Sequence, residues 1–372
     1  MTVIIELQMF EEEKIVDKDF FNPYAQQYQQ HQRDQEHKSA APKRQYVRKA
    51  DKEERERTGK GPDGLYDARF IEKPNFDPKL LAAKNSHPLD ATIRMIEETH
   101  IYYVRWEPKK PQETTDSISV SKIIDTHFPI FQPEVQVTKM AKIKQPDGVE
   151  VHTGKWAGYT SPELLVKWEE DGKLARDTGT MVHFIIECFL NGMEIGPFLQ
   201  FRVMRHFLAW YQKDILDQGW LPFRTEMRMR SDAALRLTGT TDAMFVHKDQ
   251  KPQDGVLRIK MVDWKFTKEI DTYSRFGKKG YGLCSHLDDC KKDHYGIQQW
   301  SYKKMFETWY APFEYNGYSY PKVEIIKMDL LVLHDTLSEA IVVSMNDPLD
   351  TYSYVVDALF KERYMMLQEK RS

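Results

Sequence analysis

The chain has 372 residues, 41% of them hydrophobic and 12% aromatic, which is enough for a sizeable core and, by length, about two domains. A net charge of −3 gives no overall basic character, so nucleic acid would have to be held in a local basic groove. Three cysteines (Cys188, Cys284, Cys290) are too few and too scattered for a disulfide framework or a four-cysteine zinc or iron–sulfur site, and read as free thiols in a reducing compartment.

Residues 1–75 read as a charged N-terminal arm, rich in Gln, Lys, Arg and Glu and short of aliphatics. Such a segment buries too little apolar surface to offset its ordering entropy, and is predicted to be mostly disordered. Its basic cluster Lys43, Arg44, Arg48 and Lys49 is either a solvated tail or a nuclear-localisation-like or nucleic-acid patch. The first residues lack the basic region and small-residue cleavage site of a signal peptide, and the longest apolar run, residues 181–190, is too short to span a bilayer. The expectation is an intracellular protein, cytoplasmic or nuclear, with no membrane partner.

From residue 76 to 372 the composition is globular. Leu89 to His100 has helical spacing, and Ile101 to Trp106 reads as a strand. A helix is predicted from near Val120, and another opens at Ser161-Pro162-Glu163, with Ser161 as N-cap and Pro162 at the first helical position. Thr178 or Thr180 then caps a further helix whose only strongly polar side chains, His183 and Glu187, stand four apart on one face. Each is either a satisfied core residue or a group aimed at a polar cleft. Gly196-Pro197 starts an amphipathic helix through about Asp217, with Phe198, Phe201, Phe207, Leu208, Tyr211 and Leu216 on its core face.

Phe223 to Arg230 alternates as a strand whose polar face carries Arg224, Glu226, Arg228 and Arg230. This is either a solvated edge strand or a third acid among phosphate-binding arginines. The run from Leu235 to Lys265 follows as a β-hairpin, with a turn containing Pro252 and Asp254-Gly255. In its second strand Leu257, Ile259 and Met261 point one way, and the period of two sends Asp263 and Lys265 the same way. Charge along an apolar face is costly unless it is used. With Asp242 at the end of the first strand, two acids and a lysine stand at the lip of a half-buried sheet, a ready site for a divalent metal. Mg²⁺ suits oxygen donors, and Mn²⁺ would substitute.

A loop of about 25 residues leaves directly from this site with Arg275, Lys278 and Lys279, a length that is usually functional or disordered. The next helix places Gln298 and Tyr302 four apart, on a face shared with His294. Apolar runs at Val323–Val332 and Ala340–Val343 form a second hairpin, and a terminal helix starts near Leu349.

The ordered set of a His183 helix, a Glu226 strand, a hairpin with Asp242 and Asp263-Trp264-Lys265, and a Gln298–Tyr302 helix resembles the PD-(D/E)XK nuclease superfamily. Within it, Gly179-Thr180-Met181-Val182-His183 and Gln-x-x-x-Tyr resemble the RecB-like exonuclease branch, in a subgroup frequent in large DNA viruses. The likeness covers roughly residues 101–335; Thr241 stands where the superfamily's name has Pro. It implies an α/β (α+β) fold, a central mixed β-sheet flanked by helices around a restriction-endonuclease-like core. It also implies Asp242, Asp263 and Lys265 as catalytic residues, His183 as an additional metal ligand beside Asp242 and Asp263, and Glu226 as an accessory acid. Gln298 and Tyr302 would position the lysine or the nucleic-acid backbone. The expected function is a Mg²⁺-dependent exodeoxyribonuclease acting on DNA ends or single strands in replication, repair or recombination, in the host cell or virus factory if viral. Arg224, Arg228, Lys278, Lys279 and Tyr302 would contact DNA, with Tyr273, Tyr281 and Trp264 available for base stacking. The arm would reach replication or recombination proteins. The alternatives are a non-catalytic nucleic-acid-binding scaffold, and an endonuclease or RNase on the same fold.

Overall fold

The computed structural model describes residues 55–61, 64–107 and 110–369. The basic cluster at Lys43–Lys49 and the rest of the arm before residue 55 lie outside the described residues. The helices are α1 (Leu80–Lys84), α2 (Val120–Thr126), α3 (Pro133–Lys139), α4 (Ser161–Leu190), α5 (Arg202–Trp210), α6 (Lys291–Trp309) and α7 (Thr351–Glu369). The early strands are β1 (Ile93–Ile96), β2 (Ile101–Val104), β3 (Ile118–Ser119), β4 (Lys142–Lys144) and β5 (Glu150–His152). The long ones are β6 (Trp220–Arg230), β7 (Leu237–His247) and β8 (Val256–Phe266). After α6 come β9 (Phe313–Tyr315), β10 (Tyr318–Tyr320), β11 (Lys322–Leu333) and β12 (Ile341–Ser344).

Six strands build a central mixed sheet flanked by helices, the expected fold class. Strand β8 is antiparallel to β7 and parallel to β11, which pairs antiparallel with β12. The parallel step needs a crossover, and α6 supplies it. Strand β6 runs antiparallel along Thr238–His247 of β7. The other edge of β7 is shared, by β8 over Ala243–Val246 and by β3 over Leu237–Thr238. Between those two stretches no strand covers it, and Asp242 lies in that gap.

Val182, Ile185 and Ile186 of α4 and Val203, Phe207 and Trp210 of α5 pack against Ala243, Phe245, Val262, Trp264, Leu331 and Leu333 of the sheet. Burying each such side chain contributes about 1.5–3 kcal/mol. Strand β8 is therefore not half-buried as expected. Leu257 and residues 259–264 are all enclosed, including Lys260. Alternation in the sequence marked one face, but helices on both sides of a sheet bury both parities of a central strand.

Several expected elements are corrected. Leu89 to His100 is not a helix: a turn at Asp90–Thr92 leads into β1, which pairs with β2 in register Ile93↔Val104 to Ile96↔Ile101. The few apolar positions fit either period, and the neighbouring strand-former decides between them. Thr160, rather than Ser161, caps α4, in a capping box with Glu163. Nor does a new helix start at Thr178 or Thr180, because α4 runs unbroken for 30 residues and the Thr180 hydroxyl donates to the Arg176 carbonyl. The helix expected from Gly196 to Asp217 splits into a 3₁₀ turn (Gly196–Gln200), α5 and a π-helical segment (Tyr211–Leu216). Leu216 is 40% exposed, and Val203, Met204, Trp210 and Ile215 are buried instead. The β9–β10 hairpin was overlooked although Asn316-Gly317, with φ of 49° and 78°, is a strong two-residue turn signal.

The arm boundary at residue 75 also falls inside ordered chain. Ala68 and Ile71 belong to the core. Asp67 is bound by Arg55 and Arg202, while the Asp335 carboxylate accepts the Ala68 N–H. All three cysteines are buried and free. No helix among the described residues is long and apolar enough to cross a membrane.

Candidate metal centre

Strands β7 and β8 remain paired from Val246↔Ile259 to Ala243↔Val262 and then part. Where the ladder would continue, the Trp264 N–H donates to Asp242 Oδ2 at 2.8 Å. A carboxylate thus takes the place of a backbone acceptor at the fork. On the opposite edge of β7, Thr225↔Ala243 and Met227↔Thr241 leave Glu226 across from Asp242. Glu226 has φ of 43°, a conformation that costs a non-glycine residue of order 1 kcal/mol and is characteristic of functional sites.

From α4, His183 completes the group: its Nδ1 lies 3.7 Å from Asp242 Oδ2. One ligand atom each from His183, Glu226 and Asp242 lie within 4.8 Å of one another. The expected ligand trio was His183, Asp242 and Asp263. In this structure Glu226 is the third member, and Asp263 turns instead to Lys265, 2.6 Å away.

The electrostatics follow from crowding acids in a buried place. Burial, then Asp242, pushes Asp263 up to about 6. Burial, reinforced by Asp242, Glu187 and Asp263, raises Glu226 well above the carboxylate range, and burial also raises Asp242 despite Lys265. Glu187, one turn along α4 from His183, is pushed up to about 7 by burial and then by Glu97. Burial, helped by Lys265, lowers His183 to about 4, so its imidazole is neutral at physiological pH. Burial opposes the Lys265 ammonium, but Asp263 and Asp242 outweigh it and leave Lys265 above its ordinary value.

The predicted Gln298 and Tyr302 lie behind this cluster. Gln298 Nε2 donates to Tyr302 Oη at 3.3 Å and to Ser121 Oγ at 3.2 Å. The Tyr302 ring packs onto Gly239, where any Cβ would sit 2.3 Å from the ring, so glycine is required there. Neither residue touches Lys265. Tyr295, not anticipated, does: Lys265 Nζ lies 4.5 Å from its ring centroid. Its position three residues before Gln298 and seven before Tyr302, on the same helical stripe, was the available signal.

The basic residues expected to grip nucleic acid divide sharply. Arg224 is buried and donates to Asp90 Oδ2 at 2.8 Å and to the Asn85 carbonyl, so its guanidinium is spent inside the fold. Arg230 is buried against Thr92 and the Ser231 carbonyl, and Arg236 pairs with Asp116. Arg228 stays at the surface, 3.6 Å from Glu97. It lines a cleft of about 480 Å³ with Lys73, Phe184, Glu187 and Glu226. Lys278 is exposed, whereas Lys279 is paired with Asp288. Tyr273 and Tyr281 are exposed, but Trp264 is 1% exposed, wedged edge-on against Phe207 and Trp210, and cannot stack on a base.

No protein-family model matches the chain, and no curated protein is significantly similar to it.

Proposed function

We propose that the chain is a metal-dependent nuclease that hydrolyses phosphodiester bonds of DNA, an exonuclease acting on DNA ends or single strands in replication, repair or recombination. The observation that carries this reading is the convergence of His183, Glu226 and Asp242 on one point beside the Asp263–Lys265 pair. The donor set suits a divalent cation. Two carboxylates and a neutral imidazole present lone pairs, and the burial that raises both acids, with the repulsion that adds to it at Glu226, is relieved by positive charge. Mg²⁺ fits the oxygen donors, with Mn²⁺ substituting. Such a cation supplies Lewis-acid polarisation of a phosphoryl oxygen and lowers the pKa of a bound water.

The chain's own residues do the rest. Asp263 and Asp242 hold Lys265 protonated, so it acts as a fixed positive charge toward the phosphate oxygens rather than as a base. Asp263, at about 6, is ionised near neutral pH and is able to accept a proton from the attacking water. Tyr295 and the ion pair with Asp263 fix the ammonium's place.

The test is release of nucleotides from end-labelled single- and double-stranded DNA and RNA, with Mg²⁺ and with chelator. Metal-dependent cleavage of DNA that disappears in Asp263→Ala and Lys265→Ala supports the reading. Full cleavage in either variant removes these residues from the chemistry.

A further inference from the structure

Helix α4 carries the site at one end and something different at the other. Residues 165–177, between the buried Leu164 and Thr178, include no buried residue. That is roughly 20 Å of helix with no enclosed side chain, covered only in part, where Trp168 meets Phe131 and Trp156. Propensity alone is marginal for such a span, and the i,i+4 pairs Lys167–Asp171 and Lys173–Asp177 reinforce it. At its start stands a ring cluster. Phe131 and Trp156 lie 6.1 Å and 5.9 Å from Trp168, and Tyr159 lies 6.5 Å from Trp156. Phe131 is 63% exposed, and Lys155 Nζ sits 4.6 Å over Trp156.

At about 100° per residue, Trp168, Gly172, Arg176, Gly179, His183 and Glu187 fall within an arc of about 100° on α4. Glu169 lies at the margin of that arc. Arg176 is exposed and makes no ion pair among the described residues, unlike Lys167 and Lys173 on the same helix. The two glycines each cost about 1 kcal/mol relative to alanine in a helix interior. No backbone packing demands them. A Cβ at Gly172 would meet only the end of the flexible Arg176 side chain, at 3.3 Å, and one at Gly179 would make ordinary contact with Phe266. What they provide is bare backbone along the stripe.

We propose that this stripe is a track for single-stranded nucleic acid leading to the His183 end, an inference that rests on the nuclease reading. Phe131, exposed, and the half-exposed Trp156 and Trp168 offer stacking faces to unpaired bases, and the Arg176 guanidinium offers a phosphate contact. A polyanion with flat apolar faces is the partner that uses both. Trp168 and His183 are 15 residues apart, about 22 Å of helix, or about six stacked nucleotides at ~3.4 Å each.

The test measures anisotropy of a fluorescent oligothymidylate of about 20 nucleotides on the full-length protein in chelator, so that nothing is cleaved. Arg176→Ala and Trp168→Ala each weaken binding about tenfold, Arg176→Ala lowers the salt slope by about one, and the deficit narrows with an oligomer of about four nucleotides. Leu174→Ala, exposed and off the stripe, binds as the parent does. Unchanged affinity in Arg176→Ala and Trp168→Ala, or a parent chain that does not bind the oligomer, overturns the track, the latter result pointing to a protein partner on the rings. Hydrolysis with Mg²⁺ separates the two readings. Binding through the stripe without cleavage sinks the nuclease and leaves the track, and cleavage with an unaltered KM in Arg176→Ala does the reverse.

Discussion

Strand β8 carries two lysines whose aspartate pairs serve opposite ends. Lys260 is sealed in the sheet beneath α5, 3.2 Å from Asp329, with both side chains at 2% exposure or less. Lys327 also approaches that aspartate at 3.7 Å, so one acid there meets two cations. Five residues along, Lys265 meets Asp263 and Asp242, with Glu226 a third acid beside them, so one cation there meets two acids in a group of three. A buried acid fully matched by cations is a closed structural device. A buried cluster with acid in excess is held against burial and repulsion, a cost that positive charge relieves, and on the proposed reading a divalent cation is that charge. The distinction lies in the surroundings of the two pairs, not in the pairs themselves.

The largest expected effect is on chemistry. Asp263→Asn should lower metal-dependent DNA hydrolysis by about 10³-fold or more while leaving the unfolding midpoint near that of the parent, because the ion it removes was held against burial and the repulsion of Asp242. A midpoint that collapses together with activity would make the two pairs alike. Asp329→Ala should do the converse, costing about 3–5 kcal/mol in denaturant unfolding by stranding Lys260 in the core. The double replacement Lys260→Met with Asp329→Leu should recover most of that loss.

Third in size is the metal itself. Mg²⁺ or Mn²⁺ at about 100 times its dissociation constant should stabilise the parent by about 2.7 kcal/mol and Asp242→Asn by much less. Thermal melts with and without metal would read the difference, and an equal shift in both proteins would place the ion elsewhere. The smallest effect concerns Glu187. Its folded-state pKa, about 7, lies above the unfolded value, so ionising it penalises the metal-free native state, and that stability is lost as pH rises from about 4.5 through 7. Glu187→Gln should therefore match the parent near pH 4.5 and exceed it above pH 7, by about 2 kcal/mol, less than the full shift implies because the side chain is partly exposed. Parallel stability–pH curves for the two proteins would show that Glu187 keeps an ordinary pKa.

Much of this could be read from the chain. The Leu235–Lys265 hairpin was legible because alternation and an Asp-Gly turn are local signals, and Gly255 indeed takes the left-handed conformation at φ of 66°. The α2 start and the β11–β12 pair were visible for the same reason. Arg224, Arg228 and Arg230 looked equivalent in an alternating strand. Only packing showed that the Arg224 and Arg230 guanidiniums are spent on partners inside the fold, Arg224 although it lines the cleft, while that of Arg228 stays half-exposed there.

The sequence by itself determined which residue types are present and at what local spacing, and so it picked out the acids, His183 and Lys265 of the candidate site. The tertiary structure alone decided their grouping. The parting of β7 from β8 opened the gap at Asp242, the bend at Glu226 brought a third acid across β7, and the close seat of Tyr302 on Gly239 set α6 so that Tyr295 reaches Lys265. Period and propensity are properties of neighbours in the chain, whereas a site for a cation depends on charges brought together by long-range packing, and their excess appears only when every partner is in place.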